Sequence, residues 1–191
     1  MNDRIRRWDE RYARGEELHD FSPSPPLPEA LDGVAPGRAL DLACGAGRHA
    51  LFLAGRGWQV LALDGSRAGL DRLGAEAQAR GVGQAIEARV ADLEAEDFAL
   101  EGAFDLVCDF YFLHRPLFAQ IHRVVKPGGR FAAAVHVRTS PEEKGRFLLE
   151  PGELSALVRD WGWEILLYRE GAAAEAGHGH GAAELVARRP G

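Results

Sequence analysis

Two acids and two glycines in the first third of the chain have the types and spacing to hold a ligand. Ala39 to Leu42 is a short apolar run that carries Asp41, and Gly45 and Gly47 follow it directly, opening an amphipathic segment from Arg48 to Arg56. Seventeen residues beyond Gly47, where the next apolar run of Val60 to Leu63 stops, stands Asp64. The pattern is that of a buried strand, a tight glycine turn and a helix N-terminus. Glycine belongs in such a turn because the backbone calls for positive φ and because a ligand must approach it without meeting a Cβ. An acid at the tip of a second parallel strand suits a bidentate grip on ribose hydroxyls.

Two ligand classes fit this arrangement. Gly45-x-Gly47-x-x-Ala50 formally matches the dinucleotide fingerprint, which makes a nicotinamide-dependent oxidoreductase a rival reading. Asp41 argues against it, because a carboxylate aimed into the loop repels a pyrophosphate over the helix N-terminus but attracts the ammonium of a methionine moiety. Adenosine plus methionine means S-adenosyl-L-methionine. Here the sequence resembles the class I S-adenosylmethionine-dependent methyltransferases, whose first motif usually reads D-x-G-x-G-x-G and reads D-L-A-C-G-A-G from Asp41 onward in this chain. Ala43 replaces the first glycine and slightly narrows the room for the cofactor.

The resemblance implies cofactor contacts from Asp41, Ala43, Cys44, Gly45 and Gly47, and from Asp64 with Gly65 and Ser66. It further implies that Asp92 faces the adenine amino group, that Leu93 covers the ring, and that Asp109 and Phe110 close the site after the fourth strand. By its own chemistry Asp92 suits an exposed loop carboxylate equally well. Trp8 to Tyr12, W-D-E-R-Y, is similar to the N-terminal segment of the tellurite-resistance and thiopurine methyltransferase group, where such a segment covers the site. That implies cofactor contacts from Trp8 and Tyr12, against the plainer reading that Trp8 docks its helix on the domain. Leu113 to Phe118, Phe147 to Leu154 and the closing L-V-A-R-R-P look like one bacterial branch of that group.

Methyl transfer is an in-line displacement at a sulfonium carbon, so position, orientation and exclusion of water come first and a base is optional. An ionised thiol or a chalcogen oxyanion needs no proton removed, whereas a neutral hydroxyl does. His114, His178 and His180 are the catalytic candidates, and His136 reads as a structural histidine. Arg48, Arg115 and Arg138 together would make the crevice positive. The expected acceptor is therefore a small molecule, anionic or soft, of the tellurite, selenite or thiol kind. His178-x-His180 is an incomplete metal shell on a glycine-rich loop, and no metal is expected there. A protein that binds the cofactor without turnover is the remaining alternative.

The composition sets these residues in a frame. The chain has 191 residues, 46% hydrophobic and 27% charged, which suits one globular domain. A net charge of -6 gives no electrostatic reason to bind nucleic acid. The charged start has no apolar core of signal-peptide length, and no run approaches the ~18 residues that cross a bilayer, so a cytoplasmic location without membrane contact is expected. Cys44 and Cys108 read as reduced small apolar residues.

The elements follow from periodicity. Arg4 to Arg14 has helical spacing, Phe21 to Pro28 cannot be a helix because of its prolines, and Leu27 to Leu31 suits a short one. Residues 1–36 are thus expected as a lid helix with a Pro-rich connector, and 37–191 as a Rossmann-like domain. Strands are expected at Ala39 to Leu42, Val60 to Leu63, Ala85 to Val90, Phe104 to Asp109, Arg130 to His136, Trp163 to Tyr168 and Glu184 to Arg188. Helices are expected at Arg48 to Arg56, at Arg67 to Arg80 with Ser66 as N-cap, at Ile121 to Lys126 stopped by Pro127-Gly128-Gly129, and at Leu154 to Trp161. Such alternation requires a mostly parallel sheet with helices on both faces, and the ligand then lies beyond the carboxyl ends of its strands. The loop before the last strand has no helical pattern, so that strand must run antiparallel. The result is a seven-stranded α/β sheet.

Overall fold

A computed structural model describes residues 3–16, 21–143, 145–172 and 180–191. In chain order the elements are α1 (Asp3–Arg14), α2 (Pro26–Ala30), β1 (Arg38–Leu42), α3 (Arg48–Ala54), β2 (Gln59–Asp64), α4 (Arg67–Ala79), β3 (Ile86–Val90), β4 (Phe104–Phe110), α5 (Arg115–Val124), β5 (Val125–Val137), α6 (Glu153–Asp160), β6 (Glu164–Ala172) and β7 (Gly181–Arg188). The seven strands lie in the order β3-β2-β1-β4-β5-β7-β6. β2 pairs parallel with β1 and β3, β4 pairs parallel with β5, and β7 runs antiparallel between β5 and β6. This is the expected Rossmann-like sheet with its antiparallel last strand. Among the described residues no helix is long and apolar enough to cross a membrane.

The chain forms two compact units, Met1–Pro23 with Pro36–Ala99, and Ser24–Ala35 with Leu100–Gly191. In the first, β1 and β2 are buried almost throughout, as continuous apolar runs covered on both faces must be. β3 is the edge strand and shows why: its Glu87 and Arg89 are exposed, and charges on an edge discourage pairing with another chain. Ser66 caps α4 as expected, its Oγ accepting the Gly69 amide at 3.0 Å.

In the second unit two expectations are corrected. The short helix expected from Leu27 is present and starts one residue earlier, at Pro26, within the stretch expected to be non-helical, because prolines at the first helical positions give up amides that have no intrahelical acceptor anyway. The helix before K-P-G-G ends at Val124, and Val125 to Val137 is one strand that contains the proline and both glycines. A register shift where β4 meets β5 accommodates them, and a Cβ on Gly129 would lie 2.9 Å from the Lys126 carbonyl. Neither Cys44 nor Cys108 forms a disulfide, and both are buried.

The core of this unit centres on Phe131, which is 0% exposed and has the rings of Phe118 and Trp161 each 6.1 Å from its own. Truncating it leaves a cavity that three elements line. Phe131→Ala should lower unfolding free energy by about 3–5 kcal/mol in urea denaturation, and a loss below about 1 kcal/mol would mean that this cluster does not anchor the unit.

Candidate functional site

In the first unit β1 delivers a strained turn. Ala43 has φ 52°, Gly45 56° and Gly47 84°, the last as the left-handed N-cap of α3. The alanine in place of the first motif glycine therefore sits in a backbone region that disfavours a Cβ, and it acts on strain as well as on space. The two glycines serve different neighbours. A Cβ on Gly45 would lie 2.1 Å from the Tyr12 hydroxyl, and one on Gly47 would lie 2.2 Å from Leu73 Cδ1. The turn is bare so that α1 and α4 can pack on it.

Asp41 is 1% exposed, and neither of its oxygens has a hydrogen-bond partner among the described residues. Burial pushes its pKa up to about 7; the nearby Ala50 amide, outside hydrogen-bonding geometry, and Arg48 ease this, while Asp64 adds to it. Asp64, at the end of β2, accepts the Gly45 amide at 2.8 Å and the Ser66 amide at 2.7 Å, and burial raises its pKa too. Cys44 is buried and its thiol is pushed well up by burial and by Asp41, so it is an inert neutral group. A cationic ligand group would satisfy Asp41, and each Asp64 oxygen keeps a lone pair for a hydroxyl. These residues fit the ammonium and ribose of S-adenosylmethionine.

The other positions implied for the cofactor are placed as follows. Ile5 packs so closely on Gly65 that a Cβ there would lie 2.6 Å from its Cγ1. Trp8 stacks on Tyr12 at 5.8 Å and is 37% exposed, with the Arg11 guanidinium 4.5 Å above its ring. Asp92 accepts the Glu94 amide at 3.1 Å and Leu93 is buried. Asp9, to which the sequence reading gave no role, accepts the Ser66 hydroxyl at 2.7 Å and the Ala68 amide at 2.8 Å. Its signal lay in the quoted W-D-E-R-Y, but its partners stand almost sixty residues away.

In the second unit Asp109 and Phe110 end β4 and are buried. Tyr111 follows with φ 62°, its amide bound to the Ala134 carbonyl at 2.6 Å. Its ring lies 5.0 Å from His136, and the His136 ring lies 5.7 Å from His180. Glu143 completes the group, with one oxygen 3.5 Å from His180 Nδ1 and the other accepting the Thr139 amide at 2.6 Å. Gly181 makes this possible, since a Cβ there would lie 2.4 Å from Thr139 Cγ2. His136, expected to be structural, thus joins the candidate His180. His114 stands apart from the cluster as the N-cap of α5, and its side chain makes no hydrogen bond or ring contact among the described residues. His178 lies outside the described residues.

Two of the three arginines expected to make the crevice positive are each paired with a glutamate. Arg115 is clamped by both oxygens of Glu153, at 2.6 and 2.8 Å, and Arg138 pairs with Glu150 at 3.1 Å. Both glutamates follow the arginines in sequence by too much for local pattern to reveal them.

Asp41 makes a pH signature. Its carboxyl ionises near 3.8 when unfolded and near 7 when folded, so the folded state holds the proton more tightly and stability falls as pH rises through that window. Asp41→Asn stays neutral and should abolish the fall, gaining roughly 4 kcal/mol on wild type between about pH 4 and about pH 8. Urea titrations of both proteins across that range check it, and parallel pH profiles would show that Asp41 ionises normally.

Comparison with known proteins agrees with this geometry. Residues 39–129 match the family described as "Methyltransferase domain". An uncharacterized methyltransferase of Synechocystis sp. is 37% identical over 115 residues, 56% of this chain and 50% of that one, so the match spans about half that relative's length. The crystal structure of TehB from Haemophilus influenzae superposes with a TM-score of 0.76 over 95% of this chain and 67% of that one, at 20% identity. The 1,6-didemethyltoxoflavin-N1-methyltransferase of Burkholderia thailandensis, solved with 1,6-didemethyltoxoflavin and S-adenosylhomocysteine, gives 0.73 over 98% of this chain and 87% of that one, at 18% identity. The glycine turn and the two strand-end acids Asp41 and Asp64 thus lie within the stretch, residues 39–129, that is similar to a methyltransferase domain.

Proposed function

We propose that the protein transfers a methyl group from S-adenosylmethionine to a small acceptor with a soft or anionic nucleophile, of the thiol or chalcogen-oxyanion kind. The observation that carries the cofactor half is Asp41, a carboxylate buried at the glycine turn and lacking a hydrogen-bonded counter-group. S-adenosylmethionine, held at this turn, would supply an electrophilic methyl group on its sulfonium sulfur. Asp41 neutralises the ammonium, Asp64 holds the ribose, and Leu93 flanks the adenine. Trp8 and Tyr12 on α1 act as a lid that excludes water from the reacting atoms.

For the acceptor half the supporting observation is the cluster of Tyr111, His136, His180 and Glu143. Glu143 beside Nδ1 favours the proton on that nitrogen and leaves Nε2 as an acceptor of the nucleophile's proton. Because Arg115 and Arg138 are each already paired with a glutamate, a protic soft nucleophile suits this cluster better than a permanent oxyanion.

Asp64→Ala removes charge-assisted hydrogen bonds of roughly 1.5–3 kcal/mol each, so affinity for S-adenosylhomocysteine should fall at least about tenfold in calorimetry with the fold intact. NAD should not raise the melting temperature of the wild type; a shift with NAD alone would reverse the choice of cofactor. His180→Asn should lower kcat or raise the KM of a thiol acceptor while leaving affinity for S-adenosylhomocysteine unaltered, and wild-type kinetics would remove His180 from the reaction.

A further inference from the structure

α1 presents no buried residue, so apolar burial alone does not seat it. Beside the packing of Ile5 on Gly65, what holds it is polar and directional. Asp9 reaches the first turn of α4, where Oδ1 accepts both the Ser66 hydroxyl and the Ala68 amide, at 2.7 and 2.8 Å. Ser66 already caps that helix through Gly69, so Asp9 satisfies a further orphan amide from outside it and lays its negative charge at the positive end of the helix. These bonds hold the Asp9 carboxyl below the usual carboxylate range, so the contact stays ionised through neutral pH. Arg4 also pairs with Glu94 at 3.1 Å in a part-buried contact, and Arg72 donates to the Ala13 carbonyl at 3.3 Å across an exposed surface, where such a tie is light.

The same contact reaches the glycine turn by two routes. One turn of α1 beyond Asp9, the Tyr12 hydroxyl rests on Gly45 so closely that a Cβ would lie 2.1 Å from it. Through Ser66, whose amide binds one oxygen of Asp64 while the Gly45 amide binds the other, Asp9 is joined to the acid that suits ribose. With α1 seated, Tyr12 covers the backbone that a ligand of this turn must approach.

We propose that Asp9 is a positioning residue, the latch that seats α1 on the glycine turn, and that release of this latch sets the rate at which the cofactor enters and leaves. The inference rests on the reading of the turn as the cofactor site and of α1 as its lid. Asp9→Ala removes the accepting oxygen, whereas Asp9→Asn keeps it, and the pair separates loss of the latch from loss of charge.

The experiment uses the full chain and S-adenosylhomocysteine as the probe. Stopped-flow chase measures release, and amide hydrogen exchange over residues 3–14 reports the seating of α1. Asp9→Ala should release the probe about tenfold faster or more and exchange faster in α1, with exchange in the strands unchanged; Asp9→Asn should stay within about threefold of wild type on both readouts. Arg72→Ala, which cuts a lighter tie, should resemble wild type. Wild-type release by Asp9→Ala overturns the proposal whether or not α1 exchanges faster, and so does an Asp9→Asn as impaired as Asp9→Ala. Faster exchange in the strands as well overturns it in favour of a general structural role. Failure of the wild-type protein to bind the probe would instead sink the cofactor reading on which the latch depends.

Discussion

A carboxylate buried at the end of a parallel strand is the constraint on which this structure turns. Asp41 is removed from water and neither of its oxygens makes a hydrogen bond among the described residues, and burial moves its folded pKa to about 7. Such a group lowers the stability of the chain above neutral pH unless something cationic arrives. In the turn after it Ala43, Gly45 and Gly47 take left-handed backbone, and the two glycines leave room for Tyr12 and Leu73 to pack against it. The stability lost to Asp41 is thus differential binding held in reserve for a positively charged ligand.

Asp64 is managed in the opposite way. It too is buried enough for its pKa to rise, but two backbone amides from two different segments bind its two oxygens. These bonds fix its orientation and tie the tip of β2 to the turn after β1. Ser66 extends the tie to α4 and Asp9 extends it to α1, so one chain of hydrogen bonds runs through every segment of the first unit to which a cofactor role is assigned, apart from Asp92 and Leu93. Rigid support of this kind is what a binding carboxylate needs if its geometry is to survive the entry of a ligand.

How much of this was legible in the sequence depends on the range of the interaction. The strand, the turn, Ser66 as a cap and the antiparallel last strand follow from local pattern, because apolar runs, glycines and cap residues act on their immediate neighbours. Pro26 and Pro28 misled because proline excludes itself from helix interiors but not from first turns, and K-P-G-G misled because a bulged strand can carry a glycine pair. Long-range pairing was not legible at all. Nothing local to Arg115 announces Glu153, thirty-eight residues on, and nothing in W-D-E-R-Y announces that Asp9 ends on a helix fifty-seven residues away. Arg115 and Arg138, expected to lend positive charge, are each paired with a glutamate, since charge counted along a sequence is not charge left over after folding.

Ala43 and Tyr111 show where the fold tolerates cost. Both are non-glycine residues at positive φ, and each directly follows the last residue of a strand, β1 or β4. A left-handed residue with a Cβ costs roughly 1–2 kcal/mol, and evolution has glycine at hand for such positions. In a parallel sheet the carboxyl end is where ligands bind, so strain kept there is strain kept where side chains must be aimed. At Tyr111 the aim is visible, since the turn sends the ring against His136 and so toward the imidazole of His180. A glycine at position 111 would relax the backbone but would remove the ring that closes this cluster. At Ala43 a methyl is carried in left-handed backbone within a turn whose two glycines carry none. At Tyr111 the strain therefore has a physical sense: the side chain is kept, against the preference of its own backbone, because of what it faces.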